Sequence, residues 1–165
     1  MMANRAMLIG SIRAGKSTLT NALLDKPVEA VKTQALVYRD WVVDTPGEYT
    51  ENPLFYKNIM ATALEVTHVF FIQDATRDKM IFPPGFSGGI PKLAVGVVTK
   101  ADAPSANIEE AVRKLKQAVA DGPIVVTSSI TGKGIQTLRD LAACSSLEEM
   151  KEYASAHNAG DLVFE

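Results

Sequence analysis

The chain has 165 residues, 47% of them hydrophobic and 22% charged, and carries a net charge of −2. That length predicts one domain with a real core, burying roughly 70% of the unfolded surface. The charge balance leaves no basic footprint for nucleic acid, no apolar run is long enough to span a bilayer, and Cys144, the single cysteine, excludes an internal disulfide and reads as a small buried hydrophobe in a reducing cytoplasm.

In chain order, the first strand begins almost at once, so no signal peptide is expected, and Met2 stands where myristoylation needs glycine. A cytoplasmic protein without direct membrane insertion is therefore expected. Ala6-Met7-Leu8-Ile9 is a buried strand and Ser17 to Leu24 a helix. Between them, Gly10-Ser11-Ile12-Arg13-Ala14-Gly15-Lys16-Ser17-Thr18 fits the phosphate-loop (Walker A) pattern G-x-x-x-x-G-K-[ST] at every fixed position. Glycines at 10 and 15 let the backbone approach an anion, whose charge the N–H groups at the helix start would meet. Lys16 can reach β- and γ-phosphates, and the Ser17 hydroxyl can ligate Mg²⁺.

Ala35–Tyr38 and Trp41–Asp44 are short strands separated by two residues, which predicts an antiparallel hairpin. Asp44-Thr45-Pro46-Gly47 follows: Asp44 would hold Mg²⁺ through water and the Gly47 N–H would sense a γ-phosphate. Pro53 to Leu64 reads as a helix and His68 to Gln73 as a buried strand. Residues 75–91, with their Pro and Gly breakers, read as a long loop available for function or partner binding. Lys92 to Val98 is a strand ending in Thr99-Lys100-Ala101-Asp102, and a helix with Glu109–Arg113 and Glu110–Lys114 couples follows. Ile124–Thr127 is a last strand, Ser128 and Ser129 open a loop, and Ile135–Ala143 closes the domain as a helix. Strands alternating with helices predict an α/β fold whose mostly parallel sheet is covered on both faces, with ligands at the carboxyl ends of its strands. Residues 1–143 form the expected domain and 144–165 a tail: a capped helix with an apolar stripe at Leu147, Met150, Tyr153 and Ala154, frayed from His157 onward.

The far end of the expected site selects a base. Asp102 can accept from guanine N1–H and its exocyclic amine, donors that adenine lacks there, and a carboxylate deprived of them is penalised. The stem of Lys100 would lie along the base, and Ser128 and Ser129 would present the loop on the O6 side.

The set Gly10–Ser17, Asp44–Gly47, Thr99–Asp102 and Ser128–Ser129 resembles the small GTPases of the translation-factor-related class. More narrowly, Lys32-Thr33-Gln34-Ala35, Asp44-Thr45-Pro46-Gly47-Glu48-Tyr49, Pro84-Gly85-Phe86 and Val98-Thr99-Lys100-Ala101-Asp102 resemble the ethanolamine-utilisation P / propanediol-utilisation V family, whose members accompany bacterial microcompartments. The resemblance implies a P-loop NTPase, Ras-like three-layer fold with a mostly parallel six-stranded sheet and one antiparallel edge hairpin. It implies GTP or GDP and Mg²⁺ as ligands, slow hydrolysis, and a shell or cargo protein as partner. Within it Thr33 is the switch threonine over Mg²⁺ and γ-phosphate. Thr99 replaces the usual Asn, keeping a hydroxyl and losing an amide. Glu48 replaces a water-orienting Gln and cannot donate a hydrogen bond while ionised. Arg13 stands where potassium-activated relatives carry Asn, and either offers an internal arginine finger or lies on the loop rim. Two alternatives stay open: an ATP-dependent acetate kinase, for which only Arg13, Arg39 and Arg77 are loosely placed to bind a carboxylate, and a non-catalytic adaptor.

Overall fold

A computed structural model of the protein describes residues 3–26, 36–79, 82–157 and 160–164. The strands are β1 (Ala6–Ile9), β2 (Val37–Arg39), β3 (Val42–Asp44), β4 (His68–Asp74), β5 (Leu93–Thr99), β6 (Ile124–Val126) and β7 (Leu162–Val163). They form one mixed sheet in the order β2-β3-β1-β4-β5-β6-β7. The five inner strands run parallel, and β2 and β7 are antiparallel at the two edges. The helices are α1 (Lys16–Leu23), α2 (Glu48–Glu51), α3 (Tyr56–Ala63), α4 (Ile108–Ala118), α5 (Ile135–Ala143) and α6 (Leu147–Ala156).

Both faces of the sheet are buried, which is why β1 and β4 are apolar runs and not alternating strands. Their side chains still part by the two-residue period of a strand. Met7, Ile9 and Phe71 join Ile59 of α3 and Leu115 of α4 in one cluster. Leu8, Phe70 and Ile72 join Leu19 of α1, Leu138 of α5 and Met150 of α6 in the other. Cys144 is buried in that second cluster, and Trp41 packs half-buried against it.

Several expectations change. The sheet has seven strands and not six, because the tail returns: Leu162 and Val163 pair with Val125 and Ile124. Residues 160–164 are therefore not frayed; Asp161 is buried and its carbonyl accepts from the Val126 amide at 2.7 Å. The helix expected from Pro53 to Leu64 is a 3-10 turn, Pro53–Phe55, followed by α3, and the Asn52 side chain caps the turn through the Leu54 amide. Helix α2, directly after Gly47, was not expected at all. Within 75–91 three described residues are buried, Ala75, Phe82 and Ile90; Phe86 stacks on Phe82 and meets Phe71 edge-on, and the Gly85 amide donates to the Gln117 carbonyl at 2.7 Å. Lys114 does not pair with Glu110; it is buried and donates to the Asp78 carbonyl, while Arg113 takes Glu110.

Candidate functional site

Strand β1 lies between β3 and β4, so the strand order turns outward on both sides of it. In an open α/β sheet such a switch point leaves a crevice at the carboxyl ends of the strands. The Gly10–Ser17 loop leaves β1 there and enters α1. Gly15 makes the entry possible with φ +95°, a left-handed conformation that a side chain would strain, and its carbonyl accepts from the Leu19 amide at 2.8 Å. Gly10 packs against Ile72, where an added methyl would stand 2.9 Å from its Cβ.

Lys16 is only 5% exposed. Its Nζ donates to the carbonyls of Gly10 at 3.0 Å and Ser11 at 2.6 Å. Desolvation lowers its pKa to about 8, and the nearby charges of Asp44 and Glu51 only partly oppose that. Asp44 ends β3, and its Oδ2 accepts from Ser17 Oγ at 2.8 Å. Thr45 Oγ1 donates to the Leu8 carbonyl at 2.6 Å and so fixes the segment after β3 to β1. Next to it, Gly47 lies so close to the Ile12 backbone that no β-carbon fits between them.

The other half of the site follows β5 and β6. Buried Thr99 donates through Oγ1 to the Ala14 carbonyl at 2.6 Å. Lys100, held at φ +61°, donates through Nζ to the Arg13 carbonyl and to Asp74 Oδ2, both at 2.8 Å. Burial pushes the Asp74 carboxyl up, but hydrogen bonds from Lys100 and Thr76 together outweigh it and hold the pKa below the ordinary aspartate value. Asp102 is exposed, and its Oδ1 accepts from buried Ser128 at 2.8 Å. A cavity of about 270 Å³ opens here, lined by Gly15, Thr18, Thr99, Lys100, Asp102, Ala103, Ser129 and Ile130.

Gly10 through Thr18, Asp44, Gly47, Thr99, Lys100, Asp102, Ser128 and Ser129 thus gather at one edge of the sheet. Glu48 is exposed on the first turn of α2, and it is Glu51, one turn on, whose charge acts on Lys16. Arg13 is exposed with φ +66°. Arg39 turns away to Asn21 at 2.9 Å and Arg77 to Asp74 at 3.8 Å, so the three arginines do not converge. Thr33 lies outside the described residues. Asp74 and Glu51 were missed. A lone Asp closing the apolar run Phe70-Phe71-Ile72-Gln73 was a readable signal for the first; nothing readable marked the second.

Fold and site define an α/β protein whose polar loops converge on a crevice at the carboxyl edge of a mostly parallel sheet. The chain belongs to the ethanolamine utilisation – propanediol utilisation family (PduV-EutP), which it matches over residues 3–144. It is 32% identical over 134 residues to the propanediol utilization protein PduV of Citrobacter freundii, covering 81% of this chain and 89% of the relative. It is also 32% identical over 151 residues to a protein of Escherichia coli named probable acetate kinase EutP, covering 90% and 95%. A protein of the same name from Salmonella typhimurium matches at 32% over 148 residues, covering 88% and 93%. Among the described residues no group of three or more His, Cys, Asp and Glu is placed to hold a metal, and no helix is long and apolar enough to cross a membrane.

Proposed function

We propose that the chain is a guanine-nucleotide-binding phosphohydrolase of Ras-like fold that turns over slowly and serves a bacterial microcompartment. The observation that carries this is the buried Lys16 ammonium beside the Ser17–Asp44 pair, at one end of a crevice whose other end holds Asp102. The Gly10–Thr18 amides and Lys16 bind the phosphates. Ser17 and Asp44 supply hard oxygen donors suited to Mg²⁺, a cation that keeps waters and phosphate oxygens and needs only one or two protein ligands. Held by these two side chains, the cation would supply positive charge against the nucleotide phosphates. Thr33 is assigned the switch contact, and Gly47 the amide that follows the third phosphate. Asp102 accepts from the guanine edge, with Lys100 and the Ser128–Ser129 loop around the ring.

The reaction is transfer of the terminal phosphoryl group of GTP to water: a bond forms between the water oxygen and the γ-phosphorus, the bond from γ-phosphorus to the β–γ bridging oxygen breaks, the water proton passes to the phosphate or to solvent, and GDP and inorganic phosphate leave. Positioning and charge do most of such work. Glu48 can take a proton from water but cannot donate while ionised, and it lies in solvent. Slow turnover follows from that.

A second reading, ATP-dependent phosphoryl transfer to acetate, is favoured by the similarity to the Escherichia coli and Salmonella typhimurium proteins named probable acetate kinase. Among the described residues Arg13, Arg39 and Arg77 do not converge on an acceptor carboxylate, and Asp102 gives adenine no partner. Calorimetric titration with GTP, GDP and ATP, followed by phosphate release with and without acetate, separates the two. GTP-selective binding with acetate-independent release is the expected outcome. ATP-dependent formation of acetyl phosphate would replace it with the second reading, and no nucleotide binding would leave an adaptor.

A further inference from the structure

Helix α3 is apolar on both sides. On its inward face Ile59 and Ala63 join the core cluster with Met7 and Phe71. Its outward face is Lys57, Met60, Ala61 and Leu64, all exposed and spaced i, i+3, i+4, i+7. Leu64 is 73% exposed and Met60 37%. A helix that is apolar all round is ordinarily covered on every side. Among the described residues five large hydrophobics are exposed, and four of them sit on α3 or beside its ends. These are Met60, Leu64, Leu54 in the turn that leads into α3, and Tyr38, whose hydroxyl donates to Glu65 at the helix end. Scattered singly they would need no account; gathered on one side they mark an interaction surface.

The charges around that face indicate what covers it. Lys57 lies in the first turn of α3, and Glu65 lies in the turn that closes it, with its amide bonded to the Thr62 carbonyl at 3.0 Å. Each stands at the end where the helix dipole disfavours it, because cations are stabilised near the C-terminus and anions near the N-terminus. The helix of one copy therefore gives no reason for this placement, whereas a second copy does. The two residues are eight apart, about 12 Å along the axis, and Ala61 lies midway. A two-fold axis at Ala61 sets a second α3 antiparallel to the first and brings Lys57 of each copy beside Glu65 of the other. Ala61 is the small residue that lets the two axes approach to about 8 Å, with Met60 and Leu64 packing on either side of it. A parallel pair would set lysine against lysine. The bond from Tyr38 holds the Glu65 carboxylate at the edge of the face, ready for the partner's ammonium.

We propose that the protein forms an isologous dimer through the outward face of α3, with Met60, Ala61 and Leu64 at its centre and two Lys57–Glu65 pairs at its ends. The proposal does not depend on the nucleotide reading. One helix face with its flanks is a small interface, at the low end for specific complexes, so the dimer is concentration-dependent and not permanent. Burial of apolar area supplies the attraction. The charge pairs set the direction of one helix against the other, since exposed pairs add little affinity while opposed like charges are penalised.

The test is sedimentation velocity on the full chain over a concentration series, with Lys57→Glu, Glu65→Lys, the double variant carrying both, and Ala61→Gln. All three positions are exposed in one copy, so every variant should melt with the wild type at dilutions where the wild type is monomeric. Wild type is expected to pass from monomer to dimer as its concentration rises. Each single reversal sets two pairs of like charges face to face and should weaken the dimer by about tenfold. The double variant exchanges the two charges and should recover the wild-type affinity to within about threefold. Ala61→Gln keeps a good helix former but holds the axes apart, and should abolish the dimer. A wild type that stays monomeric through the sub-millimolar range overturns the proposal and leaves the face to a partner of another kind. A dimer that neither reversal weakens, or that the double variant fails to restore, also overturns it, because the contact or its direction then differs.

Discussion

The ammonium of Lys16 sits beside two backbone carbonyls in the interior, and desolvation brings its pKa down to about 8 from 10.5. Between those values the unfolded chain holds the proton and the folded chain does not, so stability rises with pH across that window; below it, the buried charge costs on the order of 3 kcal/mol. An anion against Nζ reverses the sign. It returns the proton to the lysine, so ligand binding above pH 8 takes up a proton and weakens by up to tenfold per pH unit. Two measurements check this. Denaturant unfolding should show wild type gaining stability relative to Lys16→Met from pH 8 to 10.5. Tripolyphosphate affinity should fall with pH above 8 in wild type and stay flat in Lys16→Arg, whose guanidinium does not titrate. Equal pH slopes in wild type and the arginine variant would refute the assignment. At this scale the sequence was informative about which residues gather at the turn from β1 into α1, because glycine, lysine and serine at fixed spacing leave few alternatives. It was mute about Glu51, whose effect on Lys16 depends on a four-residue helix too short to show periodicity.

At the scale of elements, the readable parts are those with long, continuous patterns. Strands β1, β4 and β5 are apolar runs buried on both faces, α4 and α5 carry a clear stripe, and all five fall within a residue or two of where the sequence places them. What escaped was held by contacts distant in sequence. Phe82 and Phe86 sit among glycines and prolines that argue for an open loop, yet their rings close on Phe71. The last strand has only two residues, and its place depends on Asp161, whose Oδ2 accepts from Thr137 Oγ1 at 2.8 Å and whose Oδ1 lies 2.6 Å from His157 Nε2. Tyr153 stacks on His157 with ring centres 5.1 Å apart, which ties α6 into the same cluster. Asp161→Asn keeps the shape and removes the charge. It should destabilise the protein by about 1–3 kcal/mol, because one of the two buried acceptor oxygens becomes an NH2 donor facing Thr137 or His157. In a chain of this size that is a fall in melting temperature of roughly 2–4 °C per kcal/mol. Hydrogen exchange should quicken at Val126, whose amide is bonded to the Asp161 carbonyl, and stay unchanged at β1. A stability within experimental error of wild type would mean that the strand is held by Leu162 and Val163 alone.

Across the whole molecule, the two ends of the crevice are mechanically one object. Strands β1, β4 and β5 are adjacent in the sheet, and their carboxyl ends carry the Gly10–Ser17 loop, Asp74 and Thr99. Two bonds cross between the ends: Thr99 Oγ1 to the Ala14 carbonyl, and Lys100 Nζ to the Arg13 carbonyl. Replacing the usual asparagine by threonine at 99 was expected to weaken the tie between base loop and phosphate loop. The hydroxyl keeps that tie at 2.6 Å. Thr99 therefore acts on the Gly10–Ser17 loop, although it lies at the end of β5. Thr99→Val preserves the side-chain shape and deletes the donor, leaving a buried carbonyl without it, so the loop loses a fixed point next to Gly15. Tripolyphosphate, which has no base, should then bind about fivefold more weakly, equivalent to about 1 kcal/mol, and Thr99→Ser should restore it. If tripolyphosphate binding is unchanged in Thr99→Val while GDP binding falls, the coupling is absent and Thr99 serves the base alone. If both fall and serine restores both, the sheet edge works as a single rigid plate that sets the geometry of the phosphate loop from the opposite end of the crevice.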